Sequence, residues 1–391
     1  MRLGDTIYFD YQSTTPLDER VLSDLDNAYR ALWGNPHSVE HAIGWRAEEA
    51  VSSATASIAG FIGADPDELI FTSGATEANN LALLGVATAS ALQTRPRILV
   101  SAIEHKCVLE AARTLETQGK AKIESVRVNS EGFVDLNDLE TRLDNDVLLV
   151  SVMAVNNEIG TIQPLSKIGQ LAEKHGTLFH CDAAQAPVAT DIDVFDNNID
   201  LLSLSGHKIY GPKGIGALYV RRDLIGSLQP IIYGGGQQQN LRSGTIPTPL
   251  CIGMASAIKL LQGDEALTER RELAALRDRF VQLVCDLGWP VRLNGPTSEF
   301  RHPGNANLCF DGFSGADILN VLQPRLAAST GSACTSGIVE PSYVLSAIGL
   351  PEDQAKASLR FSIGRFTTED QVVEAVGILD NALQQLAKES A

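Results

Sequence analysis

The sequence predicts an α/β protein with a mostly parallel, seven-stranded sheet covered by helices on both faces, plus a smaller α+β domain. Three observations carry this. Seven strand-like runs alternate with helical patterns, the pattern changes after residue 261, and 391 residues with 44% hydrophobic content can bury a substantial core. The runs are 69–71, 98–101, 123–128, 147–152, 177–180, 201–204 and 216–220. Strands joined through helices pair in parallel, because each crossover must pass over a sheet face. The helical spacing at 168–175 is one such crossover.

Beyond the amphipathic helix at 255–261 comes a charged helix at 264–287, and then a different order: a strand at 306–310, a short helix near 316–322 and a closing helix at 368–388. This divides the chain into a large domain, residues 16–261, and a small domain formed by 1–15 and 262–391. The longest apolar run, 147–155, falls short of the roughly 18 residues needed for a membrane span. Met1 to Asp5 lead directly into a strand-like segment, so no signal peptide is expected and a cytoplasmic location is. The six cysteines form no C-x-x-C pair and no metal-like spacing with histidine, which argues against a zinc site and a disulfide framework. A net charge of −17 disfavours docking on a nucleic-acid backbone.

In an open parallel sheet, functional turns lie at the carboxyl ends of the strands. There the sequence places Ser73 to Thr76, Glu104-His105, Asn156-Asn157 and Asp182 to Gln185. Leu204-Ser205-Gly206-His207-Lys208 puts a lysine in a tight turn after a strand, which suits a Schiff-base nucleophile. Asp182, at the end of the preceding strand, is placed to keep a pyridine nitrogen protonated, and the pair points to pyridoxal phosphate. Ser73-Gly74-Ala75-Thr76 opens a helix after a strand. Unpaired N–H groups and the positive end of the helix dipole make this an anion site, with Gly74, Ala75 and Thr76 as phosphate donors. An ordinary N-cap by Ser73 or Thr76 is the plainer alternative. The Lys-Ser/Thr of a P-loop is absent.

Ser205-Gly206-His207-Lys208-Ile209-Tyr210-Gly211-Pro212-Lys213-Gly214 and Gly331-Ser332-Ala333-Cys334-Thr335-Ser336 resemble cysteine desulfurases of the NifS/IscS type. So do Tyr8 to Tyr11, Gly34-Asn35-Pro36, Phe71 to Glu77, Glu104-His105-Lys106, Val155 to Gly160, Gly234 to Gly236, Arg242 to Thr245 and Leu359 to Ser362. The resemblance implies fold type I of pyridoxal phosphate enzymes, a homodimer, and conversion of L-cysteine to L-alanine with the sulfur kept as an enzyme persulfide. It implies that Lys208 carries the cofactor and moves the substrate Cα proton, that His105 stacks on the ring and assists, that Asp182 and Gln185 contact the ring, and that Asn157 contacts cofactor and substrate. The phosphate would be held by Ala75, Thr76, Ser205 and His207, with Thr245 supplied by the neighbouring subunit. Arg360 is the candidate clamp for the substrate carboxylate, because a guanidinium fork matches that planar anion. Asn35 is a weaker partner.

Cys334 distinguishes a desulfurase from an aminotransferase, which has no use for a cysteine in a run of small residues such as 329–337. Cys181, Cys251 and Cys309 lie in apolar runs and read as buried hydrophobes, while Cys107 and Cys285 stay open. Alternatives on the same scaffold are a selenocysteine lyase or another β-lyase; a non-catalytic sulfur-relay or scaffold subunit is a different class. The chain ends at Ser390-Ala391, whereas housekeeping iron–sulfur desulfurases resembling it carry a longer docking tail. The sulfur-acceptor protein could therefore serve iron–sulfur cluster assembly, or thiolation of tRNA or DNA phosphorothioation.

Overall fold

The computed structural model describes residues 1–89, 94–297, 299–331 and 341–389. Its main sheet runs, from one edge to the other, Leu69–Thr72, Gly216–Val220, Leu201–Ser205, Leu178–Asp182, Val147–Ser151, Arg97–Ser101 and Lys122–Val126. Neighbours pair in parallel except Gly216–Val220, which runs antiparallel to both of its neighbours. All the expected runs recur, with ends shifted by a residue or two. The shift that matters is at 177–180: the strand continues through Cys181 to Asp182, because Asp182 still pairs with Ser203. Val147–Ser151, Leu201–Ser205 and Gly216–Val220 are buried throughout, as near-continuous apolar runs require. The outer strand carries Lys122 and Glu124, charges that blunt an open sheet edge.

Each face of the sheet has its own core. On one, the helices Glu19–Ala31, Ala42–Phe61 and Thr248–Lys259 pack together over Phe179, Leu202 and Tyr219. On the other, Ala75–Ala87 and Lys106–Thr117 cover Ile98, Leu149 and Leu218. The helix expected at 255–261 is the end of the longer Thr248–Lys259, whose first turn accommodates Pro249 because that position needs no N–H donor.

A further core lies under the helices Gly263–Cys285 and Glu369–Glu389, which pack over the antiparallel strands Val291–Leu293, Asn305–Phe310 and Ser358–Ser362. The start of the chain joins it, since Thr6–Tyr8 pairs in parallel with Leu326–Ala327 and delivers Ile7 and Phe9. Phe9, Phe280, Phe310 and Phe361 meet with ring centroids 5.2 to 6.3 Å apart. Burying each such ring contributes about 1.5–3 kcal/mol.

Gly216 shows how closely sheet and site are built. A Cβ there would lie 2.5 Å from the Leu204 carbonyl oxygen and 2.6 Å from the Cα of Gly74. Neither backbone atom can rotate away, so Gly216→Ala is expected to destabilise the fold by about 1–3 kcal/mol. Thermal unfolding checks this, and a midpoint equal to wild type would contradict the packing described.

Candidate active site

Strand ends and helix starts at the carboxyl edge of the main sheet enclose a cleft of about 500 Å³. Ala75, Thr76, His105, Asn157, Asp182, Gln185, Ser205, His207, Lys208 and Arg360, drawn from widely separated parts of the sequence, all line it. Asn35 and Thr245 are exposed and do not line it in the single chain. Cys334 lies outside the described residues, but Gly331, just before it, lines the cleft.

Lys208 closes the single turn Gly206–Lys208 that follows the strand Leu201–Ser205. A Cβ on Gly206 would lie 2.8 Å from the Pro212 carbonyl oxygen, so the turn can be this tight only with glycine. The Lys208 Nζ donates to the carbonyl oxygens of Gln12, at 2.6 Å, and Ser13, at 2.7 Å. Asp182 is oriented through both oxygens: Oδ1 accepts from the Ala184 N–H at 3.0 Å and Oδ2 from Asn79 Nδ2 at 2.7 Å. The same Asn79 nitrogen reaches Cys107 Sγ at 3.2 Å.

His105 caps the helix Lys106–Thr117, its Nδ1 accepting from the Cys107 N–H at 3.2 Å. This leaves the proton of the neutral ring on Nε2. Burial lowers the His105 pKa, and burial pushes the adjacent Cys107 thiol up to about 12. Cys107 is thus a neutral wall residue of the cleft. Cys285 is exposed, and Cys181, Cys251 and Cys309 are buried as expected. Glu104 is fully buried, with Oε1 accepting from the Met153 N–H at 2.6 Å and Oε2 lacking a partner. Burial, and then the Asp182 charge, raise its pKa well above the ordinary carboxylate range. His207 places Nδ1 3.0 Å from Thr14 Oγ1, and burial, then Lys208 and Lys213, lower its pKa to about 4.

Arg360 is not the solvated arginine that its residue type alone suggests, being 4% exposed on the strand Ser358–Ser362. Nη1 donates to the Asn157 carbonyl oxygen at 2.8 Å and Nη2 to Asp10 Oδ1 at 2.6 Å, while Nε is buried without a partner. Sequence reasoning missed Gln12, Ser13 and Thr14 in the cleft wall and Asn79 behind it, left Cys107 of the wall open, and placed Glu104 in a functional turn without a role for its carboxyl. Asn79 alone left a usable signal. It lies four residues after Ala75, one turn along the same helix face.

Residues 7–375 match the Aminotransferase class-V family. "Cysteine desulfurase IscS" of Rickettsia bellii is 46% identical over 380 residues, covering 97% of this chain and 92% of that protein. The chain belongs to the class-V aminotransferases, among the NifS/IscS-type cysteine desulfurases. A solved structure described as a NifS-like protein superposes with a TM-score of 0.89 at 33% identity, covering 97% of this chain and 99% of that one. Another, described as SspA in complex with cysteine, gives 0.81 at 36% identity, covering 93% and 100% respectively. The expected fold, a mostly parallel seven-stranded sheet of fold type I, is the one these relatives share.

Members of this family depend on pyridoxal phosphate, and the cleft fits that group. Gly74 caps the helix Ala75–Ala87 with φ 152° and ψ 178° and makes no side-chain cap, so the alternative of a Ser73 or Thr76 cap does not close the helix end. A Cβ built on Gly74 meets nothing within 4 Å, which leaves room for a phosphate at the N–H groups of the first turn. An oriented carboxylate and a lysine amine line the same cleft. Among the described residues no cluster of three or more His, Cys, Asp or Glu side chains could hold a metal, and no helix is long and apolar enough to cross a membrane.

One histidine beneath the site makes stability depend on pH. His180 is fully buried on the Asp182 strand between Ser151 Oγ, 2.8 Å from Nδ1, and Ser203 Oγ, 3.3 Å from Nε2, and burial lowers its pKa to about 4. Unfolded, it titrates near 6.5. Below that pH the unfolded chain binds the extra proton, so this contribution to stability is lost as pH falls from about 6.5 to about 4. His180→Gln is expected to remove about one proton from the uptake on unfolding near pH 5, read from the slope of unfolding free energy against pH. A slope equal to wild type would refute this.

Proposed function

We propose that the protein is a cytoplasmic, homodimeric cysteine desulfurase that uses pyridoxal phosphate to convert L-cysteine to L-alanine, keeping the sulfur on Cys334 as a persulfide for an acceptor protein of iron–sulfur assembly or of tRNA or DNA thiolation. The observation that carries the reading is the meeting, in one cleft, of the Lys208 amine, the Asp182 carboxylate, an uncapped helix start and the buried Arg360. The names of the relatives support it. When bound, pyridoxal phosphate would supply an electron sink that loosens the bonds at the substrate Cα and Cβ.

The chain's own residues would do the rest. Asp182, held by Asn79 and the Ala184 N–H, would keep a proton on the ring nitrogen, and Ala75, Thr76, Ser205 and His207 would hold the phosphate. Gln185 would contact the ring, Asn157 would contact both cofactor and substrate, and Asn35 would be a lesser substrate contact. Lys208 Nζ, once released from the Gln12 and Ser13 carbonyls, would carry the cofactor and move the proton at the substrate Cα, with His105 stacked beside it. Arg360 would bind the substrate carboxylate, its unpartnered Nε supplying a further donor. The Cys334 thiolate would attack the substrate sulfur. An S–S bond forms and the Cβ–S bond breaks. In the net exchange the thiol hydrogen ends on Cβ, giving the methyl group of alanine.

A second copy of the chain would complete the site. Thr245 and Asn35 are exposed, and the segment flanking Asn35 in sequence carries Tyr29, Trp33, Val39, Ile43 and Trp45, large apolar side chains 42 to 73% exposed. Such a surface supports burial against a partner. The partner's Thr245 loop would then reach the phosphate end of the cleft.

Cys334→Ser tests the chemistry. L-Cysteine should still change the cofactor absorbance, while alanine and persulfide formation fall by about a hundredfold or more. Wild-type sulfur release from this variant would remove Cys334 from the reaction. Complementation tests the shared site. Lys208→Ala and Thr245→Asp homodimers should both be inactive, the second through repulsion of phosphate by the new carboxylate. In the mixed dimer one site keeps both Lys208 and Thr245, so a differently tagged, purified mixed dimer should release alanine. An inactive mixed dimer beside an active wild-type control would place Thr245 in its own subunit's site, or in none.

A further inference from the structure

Every residue from Gln12 to Thr15 touches the turn that carries Lys208. The carbonyl oxygens of Gln12 and Ser13 receive the Lys208 amine, and Thr14 Oγ1 lies 3.0 Å from His207 Nδ1. Thr15 instead bonds the backbone on both sides of the lysine. Its N–H and its hydroxyl both donate to the His207 carbonyl oxygen, at 2.9 and 3.0 Å, and the same hydroxyl oxygen accepts from the Tyr210 N–H at 2.7 Å. Thr15 is buried, so solvent offers no substitute for these bonds.

Tyr210 needs such a hold. It is buried and adopts φ +63°, a left-handed conformation that a bulky side chain rarely takes and that persists only where the surroundings fix it. Its side chain is clamped: the Arg365 N–H donates to Oη at 2.8 Å, the Arg365 guanidinium lies 4.2 Å from the ring centroid, and Phe366 meets the ring edge-on at 5.6 Å. Its backbone is held at two points, the N–H by Thr15 and the carbonyl oxygen by the Asp18 N–H at 3.0 Å. Beyond Tyr210 the chain folds back, and the Gly211 N–H reaches the Gly206 carbonyl oxygen at 3.0 Å. Lys208 therefore sits in a loop closed from Gly206 to Gly211 and spanned inside by one hydroxyl group.

We propose that Thr15 is a positioning residue for Lys208: its hydroxyl joins the His207 carbonyl to the Tyr210 N–H, fixes the left-handed turn, and so aims the lysine amine for its bond to the cofactor. Thr15 does not itself line the cleft, so it acts only through Lys208. This rests on the pyridoxal phosphate reading given above. Apoenzyme carrying Thr15→Val, Thr15→Ala or Thr15→Ser is titrated with pyridoxal phosphate beside wild type, and each change is repeated in a Lys208→Ala background, where the cofactor binds without a covalent bond. Affinity is read by equilibrium dialysis, and lysine-bound cofactor by its visible absorbance.

Valine keeps the shape of the side chain and the backbone bond to His207, but offers Tyr210 no acceptor. Thr15→Val is expected to weaken cofactor affinity by about tenfold or more where Lys208 is present. Where Lys208 is absent the same change should shift affinity by less than about twofold, because nothing is left for Thr15 to act through. Thr15→Ser, which retains the hydroxyl, should recover most of the affinity. Wild-type affinity in Thr15→Val, equal losses in the two backgrounds, or no recovery with serine overturns the proposal. Should Thr15→Val fail to fold, Thr15→Ala decides on the same criteria. A wild-type apoenzyme that gains no lysine-bound absorbance removes the cofactor reading together with this one, whereas a wild type that gains it beside unimpaired variants removes only the role of Thr15.

Discussion

The hydrogen bond from Asn79 to Asp182 is the constraint on which the site depends. It ties the helix that opens the cleft to a central strand of the sheet, and both residues are almost wholly buried. In such surroundings a hydrogen bond to a carboxylate is short, directional and costly to lose. Because the same Asn79 nitrogen reaches Cys107, and the Cys107 N–H reaches His105, three crossover connections share a common reference at the sheet's carboxyl edge. The elevated pKa of Glu104 belongs to this arrangement. Burial and then the Asp182 charge act together there, disfavouring a second negative charge at the same place.

Much of this was legible in the sequence, for identifiable reasons. The central strands are buried on both faces, so their apolar runs stand out, and the polar residues at their ends, Asp182 and Ser205, break those runs where the site begins. The turn of Lys208 was readable because Gly206 marks it. What stayed hidden depends on contacts between distant parts of the chain. The carbonyl groups that receive the Lys208 amine come from 195 and 196 residues away, and backbone groups leave no mark in a sequence. Arg360 is buried by virtue of Asp10, 350 residues earlier. Glu104 could be placed at a strand-end turn, but its burial beside Asp182 could not be read, because nothing local shows which side chain a carboxyl group faces.

The division of labour between the cores follows from the same geometry. The sheet and its flanking helices supply the amine, the carboxylate and the open helix end, all at fixed strand termini. Arg360, Ser329 and Gly331 arrive instead from strands and turns of the core that contains Phe361, so the group assigned to the substrate carboxylate is carried by an element separate from those assigned to the cofactor. A displacement of one core against the other would alter substrate contacts and leave the cofactor contacts in place.

Two of the chain's three tryptophans, Trp33 and Trp45, stand 68% and 57% exposed in the segment that carries Asn35. The third, Trp289, is half-buried, with its ring nitrogen bonded to Asp380 and its ring in a T-shaped contact with Phe313. An indole moved from water into a protein interface shifts its emission to shorter wavelength, while one already fixed in a core contributes a steady background. The fluorescence of the unlabelled protein is therefore a built-in gauge of whatever covers that surface.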